Sequence, residues 1–274
     1  MYKNSVMINL MRIFANSKKE KRLLKEYFCC LDQCNEILNS FLLSNEQKLQ
    51  RIDTFRQCFE TASSNVENLQ FENLRKLFLA ENLDKSLIID VLDFYKKNIQ
   101  INKFSTWSEL LMHIHQETSA FGRFWMAVYY QNPSTYMPAE NLCMVWQCFD
   151  ILRKVKQNYS CFKKCYLPLE LIDKYQININ DLGLETTKPE IAQALNDVIL
   201  LLEKTMEDAK ILPSLIKGFR LKIKIRIIVS LTIFMIQKYK EVDLLQNMPY
   251  PGFWDWGMAV IMGLFGRDIK PKHL

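Results

Sequence analysis

Glycine and proline are scarce in this chain, which has seven Gly and eight Pro among its 274 residues. Both residues interrupt helices, whereas the straight-chain residues that are common here, such as Leu, Lys and Met, favour them. Glycines grouped closely enough to cradle a phosphate are missing as well. The composition therefore predicts an all-α protein with short connections. No segment of the sequence resembles a linker between domains. We therefore expect a single domain over residues 1–274 with a sizeable core.

A long hydrophobic run is also missing. The longest largely apolar segment, residues 227–236, is well short of the ~20 residues that a transmembrane helix needs. The basic residues Lys3, Arg12, Lys18 and Lys19 leave no apolar core of the kind that a secretory signal peptide has. We therefore predict a cytoplasmic protein without a membrane anchor, in which any contact with a membrane is peripheral.

Cys-x-x-Cys spacing is absent although the chain has eight cysteines. In a reducing cytoplasm the expected state is a set of buried thiols. Cys143, Cys148, Cys161 and Cys165 could in principle surround a zinc ion, but their spacing does not match a zinc site.

The net charge of +6 is modest. It suits an anionic partner such as a diphosphate or an acidic lipid surface, and it is too diffuse to predict a nucleic-acid partner. A solvated basic surface without a functional role is the alternative interpretation.

Apolar residues recur with helical spacing along most of the chain. Ser44 and Gln47 resemble a capping start, Ser105 or Thr106 caps a long helix, and Pro133 follows the end of that helix. The predicted helices cover residues 18–39, 44–59, 68–80, 84–98, 105–130, 138–159, 189–210, 213–242 and 254–266.

Residues 220–227 alternate between basic and apolar side chains, a period that is typical of a half-buried strand. An isolated strand in a helical protein has no neighbour that could pair its backbone groups. We therefore predict a helix in this segment too.

Several short motifs follow one another in a particular order. Tyr-Phe-Cys-Cys at 27–30 precedes Asn-Glu-Ile-Leu-Asn at 35–39, and Ser-Ala-Phe-Gly-Arg occupies 119–123. Residues 140–168 then contain Gln147, Leu152, Tyr159 and a final Tyr-Leu-Pro, and Leu-Pro at 212–213 opens a segment that runs to Arg226.

In order and spacing these motifs resemble those of the squalene/phytoene synthase family over residues 5–266, and Lys156 and Tyr159 resemble its hydroxysqualene synthase branch. The resemblance implies a single-domain isoprenoid-synthase fold, a helical bundle with a central hydrophobic cavity. It also implies the head-to-head condensation of two farnesyl or geranylgeranyl diphosphates, in which Mg²⁺ neutralises the departing diphosphate.

Four positions depart from the family's pattern, because Asn35, Asn39, Lys154 and Asn158 stand where the family has metal-binding aspartates. The resemblance implies that the two pairs face each other across the cavity, and the i, i+4 spacing puts both members of each pair on one helix face. Asn is a neutral and weaker ligand for Mg²⁺ than a carboxylate is, and Lys brings a positive charge. We therefore expect no catalytic residue, no metal site and no cofactor, with Mg²⁺ needed only if the chain is active.

The acids Glu36 and Asp150 lie near these motifs and remain candidate metal ligands, although ordinary polar helix residues are the simpler interpretation. Without a metal, basic side chains would bind a diphosphate or a phospholipid headgroup by charge-assisted hydrogen bonds. Alternatively, Arg123 and Arg153 are solvated or paired with Glu117 and Asp150. The candidate ligand-binding residues are Tyr27, Gly122, Arg123, Gln147, Asp150, Arg153, Lys154 and Tyr166.

Two functions follow from the resemblance. One is a catalytically inactive member that binds an isoprenoid or lipid, or that acts with an unidentified protein partner, as the phytoene-synthase-like complex I assembly factor does. The other is an active head-to-head prenyltransferase. Because all four expected carboxylates are absent, the first interpretation is favoured.

The C-terminal segment is short, aromatic and apolar, with Phe253, Trp254, Trp256, Met258, Ile261, Met262 and Phe265. Arg267, Lys270 and Lys272 follow it. Aromatic side chains and clustered basic residues suit the surface of an anionic membrane. The alternative is a final helix that closes the core.

Overall fold

The computed structural model describes residues 15, 17–61, 69–101, 103–162, 165–184, 186–243 and 249–266. Throughout these ranges regular structure is helical, and an isolated parallel β-bridge joins Lys103 to Cys165. The predicted all-α class is therefore confirmed.

The α-helices are named in chain order. They are α1 (Lys18–Leu38), α2 (Asn45–Thr61), α3 (Leu69–Ala80), α4 (Ser86–Asn98), α5 (Trp107–Val128), α6 (Tyr136–Arg153), α7 (Val155–Phe162), α8 (Leu169–Lys174), α9 (Pro189–Ala209), α10 (Leu212–Leu215), α11 (Phe219–Glu241) and α12 (Phe253–Phe265). Short 3₁₀ turns at Pro133–Thr135 and Ile179–Gly183 precede α6 and follow α8.

Side-chain caps begin the first two helices. Ser17 and Glu20 form a capping box at the start of α1, with Ser17 Oγ accepting from the Glu20 amide at 3.0 Å. Ser44 and Gln47 do the same at α2, where the Gln47 side chain accepts from the Ser44 amide at 2.9 Å. These caps satisfy amide groups that the first turn of a helix leaves unpaired.

The alternating segment is helical, because residues 220–227 lie within α11. The buried residues of this helix include Leu221, Ile225 and Ile228, which recur at helical spacing even though the sequence also alternates with a period of two. The prediction of a helix here is confirmed.

Two predicted helices are each broken once. The helix predicted over 138–159 divides at Lys154, which has φ −110° and ψ 7° and whose amide donates to the carbonyl of Ile151, one residue short of helical spacing. The helix predicted over 213–242 divides at Gly218, whose φ of 95° is in the left-handed region that a right-handed helix excludes.

The chain's contacts divide it into two compact units. The first unit extends to Ile101 and includes Arg123–Tyr130, and the second contains Asn102–Gly122 and the residues from Gln131 onward. The prediction of a single domain stays a prediction.

Aromatic rings build the core of the first unit. The ring of Tyr27 stacks on that of Phe124 with centroids 3.8 Å apart, and Phe124 is also parallel to Phe78 at 5.7 Å. Phe59 meets the edge of Phe78 at 5.2 Å. Stacked and edge-to-face pairs of this kind stabilise a core beyond the area that they bury.

The core of the second unit lies between α6, α9 and α11. Trp146 donates from Nε1 to Thr232 Oγ1 at 2.8 Å, which satisfies the one polar atom of a fully buried indole. Phe149 stacks on Tyr239 with centroids 4.5 Å apart, and the Tyr239 hydroxyl donates to the Phe149 carbonyl at 3.3 Å. This interface fixes the rotation of α6 about its own axis.

The structure describes all eight cysteines, and all are free thiols. Cys161 is exposed, Cys29 is half-buried and the other six are buried. Among the described residues no three His, Cys, Asp or Glu side chains are arranged to hold a metal, so the four cysteines weighed as a zinc site do not form one there. No helix in the described ranges is both long and apolar enough to cross a membrane.

Candidate functional site

The first motif is at the C-terminal end of α1, in the first unit. Asn35 is buried, with 4% of its surface exposed, while Glu36 points into solvent. Asn39 is the C-cap residue of α1, and its Nδ2 donates to the Asn35 carbonyl at 2.9 Å. The Asn39 side chain therefore caps its own helix.

Two buried polar atoms lie on one face of α1 at this motif. Asn35 Nδ2 and Asp32 Oδ1 have no hydrogen-bond partner among the residues that the structure describes. Residues three apart on a helix lie on the same face, so an unsatisfied donor and an unsatisfied acceptor are neighbours here. An unpaired buried polar group lowers the stability of the fold, so native cores rarely contain one. The polar atoms of Asp32 and Asn35 are therefore not explained by core packing.

Two further candidates also lie in the first unit. Tyr27 is fully buried, and its hydroxyl donates to the Leu87 carbonyl at 3.0 Å, so its observed contacts belong to the core. Arg123 pairs with Asp90, with Nη2 and Oδ2 2.9 Å apart. Asp90 is on α4, and this pair is not one that the sequence predicted.

Gly122 lies where α5 crosses the beginning of α6. A Cβ atom at Gly122 would be 2.7 Å from the amide nitrogen of Glu140 and 2.8 Å from its Cα. Real side chains do not approach a backbone this closely, so only glycine permits the crossing. The structure thus gives Gly122 a packing role in the second unit.

The second motif is at the junction of α6 and α7. Lys154 is the residue between the two helices and is half-buried. Burial lowers the pKa of Lys154, and the adjacent charge of Arg153 lowers it further, while Glu117 acts in the opposite direction. Asn158 is within α7, but its side chain lies outside the described part of the structure.

Asp150 and Arg153 form a buried ion pair one turn apart on α6, and 5% and 4% of their surfaces are exposed. The pairing that the sequence offered as an alternative for Arg153 is therefore observed. The guanidinium also lies over the ring of Tyr250, with Cζ 4.9 Å from the centroid. Arg153 Nη1 is buried without a hydrogen-bond partner in the ranges described, so one donor of the guanidinium is left over.

Glu117 on α5 connects several of the candidates. Gln147 donates from Nε2 to Glu117 Oε2 at 2.7 Å. Burial raises the pKa of Tyr166, and the negative charge of Glu117 raises it further, which keeps the phenol neutral. We call Glu117, Gln147, Lys154, Tyr166 and the Asp150–Arg153 pair the second-motif cluster.

The side chains at the two motifs do not fit the Mg²⁺ that the family resemblance implies. Mg²⁺ requires oxygen ligands in a nearly octahedral arrangement, and carboxylates usually supply the charge. Asp150, the nearby acid, is occupied by Arg153, and Lys154 is a cation where a metal ligand is expected. Glu36 is exposed on α1, and its neighbour Asn35 is neutral.

The sequence did not predict the pairing of Asp90 with Arg123, nor the contacts of Glu117 with Gln147, Lys154 and Tyr166. Asp90 holds Arg123, and Glu117 holds Gln147 and acts on Lys154 and Tyr166. Each acid is on a different helix from its partner and at least 30 positions away in the chain, so periodicity carries no signal for these pairs.

The fold of this chain is similar to that of solved squalene and dehydrosqualene synthases. A dehydrosqualene synthase in complex with ligand superposes with a TM-score of 0.73 and 15% identity, covering 96% of this chain and 92% of that one. The squalene synthase HpnC from Alicyclobacillus acidocaldarius superposes with a TM-score of 0.69 and 11% identity, covering 86% of this chain and 88% of that one. At these identities the likeness establishes the fold, which is the predicted isoprenoid-synthase fold.

The chain is also similar in sequence to enzymes of the same type. The hydroxysqualene synthase of Rhodopseudomonas palustris is 19% identical over 210 residues, which are 77% of this chain and 71% of that protein. That of Zymomonas mobilis is 18% identical over 217 residues, 78% of this chain and 72% of that protein. The squalene/phytoene synthase family model matches residues 32–240. This match covers most of the chain, which therefore belongs to the squalene/phytoene synthase family.

Proposed function

We propose that this chain is a catalytically inactive member of its family that binds an isoprenoid or lipid through an anionic headgroup, without a metal. The observation that carries the proposal is Lys154, a half-buried cation beside the buried Arg153, at a position where the family has an aspartate. The cations of the second-motif cluster suit a phosphate or diphosphate group, whereas a metal cluster needs the opposite charge.

Loss of prenyl transfer follows from the chemistry of ionisation. A departing diphosphate develops negative charge, and pre-arranged metal ions normally stabilise it in the transition state. Asn35 and Lys154 cannot replace the carboxylates that would hold those ions, and Asp150 is paired with Arg153. Binding of the ground-state ligand does not need this stabilisation, so it can persist after the reaction is lost.

The buried guanidinium supports the choice of an anion as ligand. Arg153 donates to Asp150 and keeps Nη1 without a partner in the described ranges, and Lys154 is the next residue. A phosphate oxygen would satisfy Nη1 and would offset the burial of the Lys154 charge. An assembly role with a protein partner rests on the family resemblance alone and stays a prediction.

The first experiment measures catalysis directly. Purified protein is incubated with Mg²⁺ and with farnesyl or geranylgeranyl diphosphate, and released diphosphate is quantified. We expect no release above the rate without protein. Robust release that disappears in Asp150→Asn or Glu36→Gln would contradict the proposal and establish an active prenyltransferase.

The second experiment measures binding in the presence of a chelator. Titration of the full chain with farnesyl diphosphate, followed by calorimetry, should give saturable binding that Lys154→Gln weakens by at least about tenfold, because a charge-assisted contact is lost. The matched control is Lys76→Gln, which removes an exposed lysine on α3. Absence of binding in the wild type, or equal loss in both variants, would contradict a site at Lys154.

A further inference from the structure

Helix α12 has an exposed surface that is unusually apolar. Only Ala259 and Gly263 are buried among its 13 residues. Phe253, Trp254 and Phe265 are 84%, 81% and 81% exposed. The other large apolar side chains exposed on α12 are Met258, Val260, Ile261, Met262 and Leu264.

The outward face of α12 also lacks charge. Asp255 is the one charged residue of the helix, and it pairs with Lys238 of α11 at 2.7 Å. A helix that packs on a protein along one stripe normally carries polar residues on its other faces. A contiguous apolar patch of this kind on a protein surface marks an interaction site.

Small residues set how α12 is attached. A Cβ atom at Gly263 would be 2.3 Å from Cγ1 of Ile227 and 3.2 Å from the carbonyl oxygen of Ile223, so the two helices are in close contact. Ala259 lies one turn earlier on the same face. Because the contact uses the small residues, all of the large side chains of α12 except Trp256, which is half-buried, are exposed.

The part of α11 beneath this contact is basic. Arg220, Lys222, Lys224 and Arg226 occur in its first eight residues, without an acid. Cations near the N-terminus of a helix interact unfavourably with the helix dipole, so these four residues do not stabilise α11. Ile223 and Ile227 alternate with these cations, and Phe219 at the same end is 75% exposed. The apolar patch and the basic segment therefore adjoin.

We propose that α12 and the basic start of α11 together dock the protein on the surface of an anionic lipid bilayer. Thirteen residues make a helix about 20 Å long, too short to cross a bilayer, so α12 would lie in the plane of the interface. Its Trp and Phe side chains would occupy the boundary between headgroups and acyl chains, and the cations of α11 would meet lipid phosphates.

Charge complementarity favours this occupant over a second copy of the chain. A symmetric pair formed through α12 would bring the start of α11 in one copy, with its exposed Arg220, toward the same segment of the other copy, and this like-charge approach costs affinity. An anionic bilayer instead provides acyl chains for the apolar side chains of α12 and phosphate groups for the cations of α11.

The test is flotation of the full chain with two kinds of vesicle, phosphatidylcholine alone and phosphatidylcholine mixed with phosphatidylglycerol. We expect binding to the mixed vesicles that is weaker at high salt. Phe253→Ser combined with Trp254→Ser should reduce binding at least about tenfold, and Arg220→Glu should reduce it for the anionic vesicles. The three changed side chains are exposed, so these variants should fold.

The matched control is Phe41→Ser, which removes a phenyl ring that is 78% exposed in the first unit. It should bind the mixed vesicles as the wild type does. Failure of the wild type to float with either vesicle overturns the proposal, and so does equal loss in Phe41→Ser. A concentration-dependent dimer in sedimentation that Trp254→Ser abolishes, without vesicle binding, would assign the surface to a second copy instead.

Discussion

The Nζ atom of Lys238 in α11 is 2.7 Å from Oδ2 of Asp255 in α12. The same carboxylate oxygen accepts from the Gly252 amide at 2.6 Å and so caps the first turn of α12. One side chain therefore both begins the helix and attaches that end to α11.

Asp255→Asn should loosen the N-terminal end of α12. The variant keeps the shape of the side chain but loses its charge, and loss of a cap of this kind costs about 1 kcal/mol. Hydrogen exchange of the α12 amides should therefore become faster, while the core amides of α6 remain unchanged. Equal exchange in α12 of the wild type and the variant would show that Asp255 does not hold the helix.

The same pair predicts a dependence on pH. Burial alone would raise the pKa of Asp255, but hydrogen bonds from Lys238 and the Gly252 amide outweigh it and lower the pKa below its usual range. The stabilising contribution is therefore present at pH values above the unfolded pKa and is lost as the pH falls through the folded pKa. Exchange of α12 amides, corrected for intrinsic rates, should show this loss in the wild type and not in Asp255→Asn.

Two glycines of α12 should respond oppositely to alanine. No atom lies within 4 Å of a Cβ built at Gly257, so Gly257→Ala should stabilise the helix by about 0.5–1 kcal/mol through lower backbone entropy in the unfolded chain. A Cβ at Gly263 collides with Ile227, and Gly263→Ala should destabilise by about 1–3 kcal/mol. Chemical denaturation measures both variants, and a shift of the same sign in both would refute the described contact with α11.

Gly122→Ala should destabilise the second unit by about 1–3 kcal/mol, because its Cβ would meet the backbone of Glu140 rather than a side chain that can move. Gly183→Ala is the control, since the atom closest to its Cβ, Ser160 Oγ, is 3.8 Å away. The control should change stability by less than about 0.5 kcal/mol. Equal midpoints of urea unfolding for Gly122→Ala and wild type would contradict the close crossing of α5 and α6.

Lys154→Met should raise the unfolding temperature at pH 7. Burial lowers the pKa of Lys154, so the folded chain binds this proton less tightly than the unfolded chain does. The cost of burying the charge is present below the folded pKa and disappears as the pH rises through it toward the ordinary value of 10.5. The difference between variant and wild type should therefore shrink in that alkaline window, as measured by thermal unfolding over a pH series.

A more stable Lys154→Met variant would also fit the proposed function, because a site that binds an anion often lowers the stability of the free protein. The stabilised variant should bind farnesyl diphosphate less well than the wild type does. Unchanged binding would place the ligand elsewhere in the chain.

Much of the fold could be predicted from local signals. The caps at Ser44 and Thr106 and the scarcity of breakers place helix starts correctly, and Glu109 donates its amide to Thr106 Oγ1 at 3.2 Å as the cap requires. The break at Gly218 had a signal, since glycine is the residue that most readily takes positive φ. The break at Lys154 had none, because neither glycine nor proline lies near it.

The candidate site could be predicted only in part. The departures at Asn35 and Lys154 could be identified from the order of the motifs, but the partners Asp90 and Glu117 depend on which helices meet in space. The hydrophobic periodicity of the sequence also could not predict that α12 is exposed. A helix that is apolar on all sides has the same pattern whether it closes a core or faces outward, and the two small residues that decide the question differ only in size.

Buried thiols occur in both units, and burial raises the pKa of each of them, in the case of Cys148 to about 12. They are Cys30, Cys34 and Cys58 in the first unit and Cys143, Cys148 and Cys165 in the second. A thiol that is both shielded and protonated reacts with an alkylating reagent only when its surroundings open. Pulses of reagent followed by peptide mass spectrometry would thus time the opening of each unit separately, with the exposed Cys161 reacting first as an internal standard.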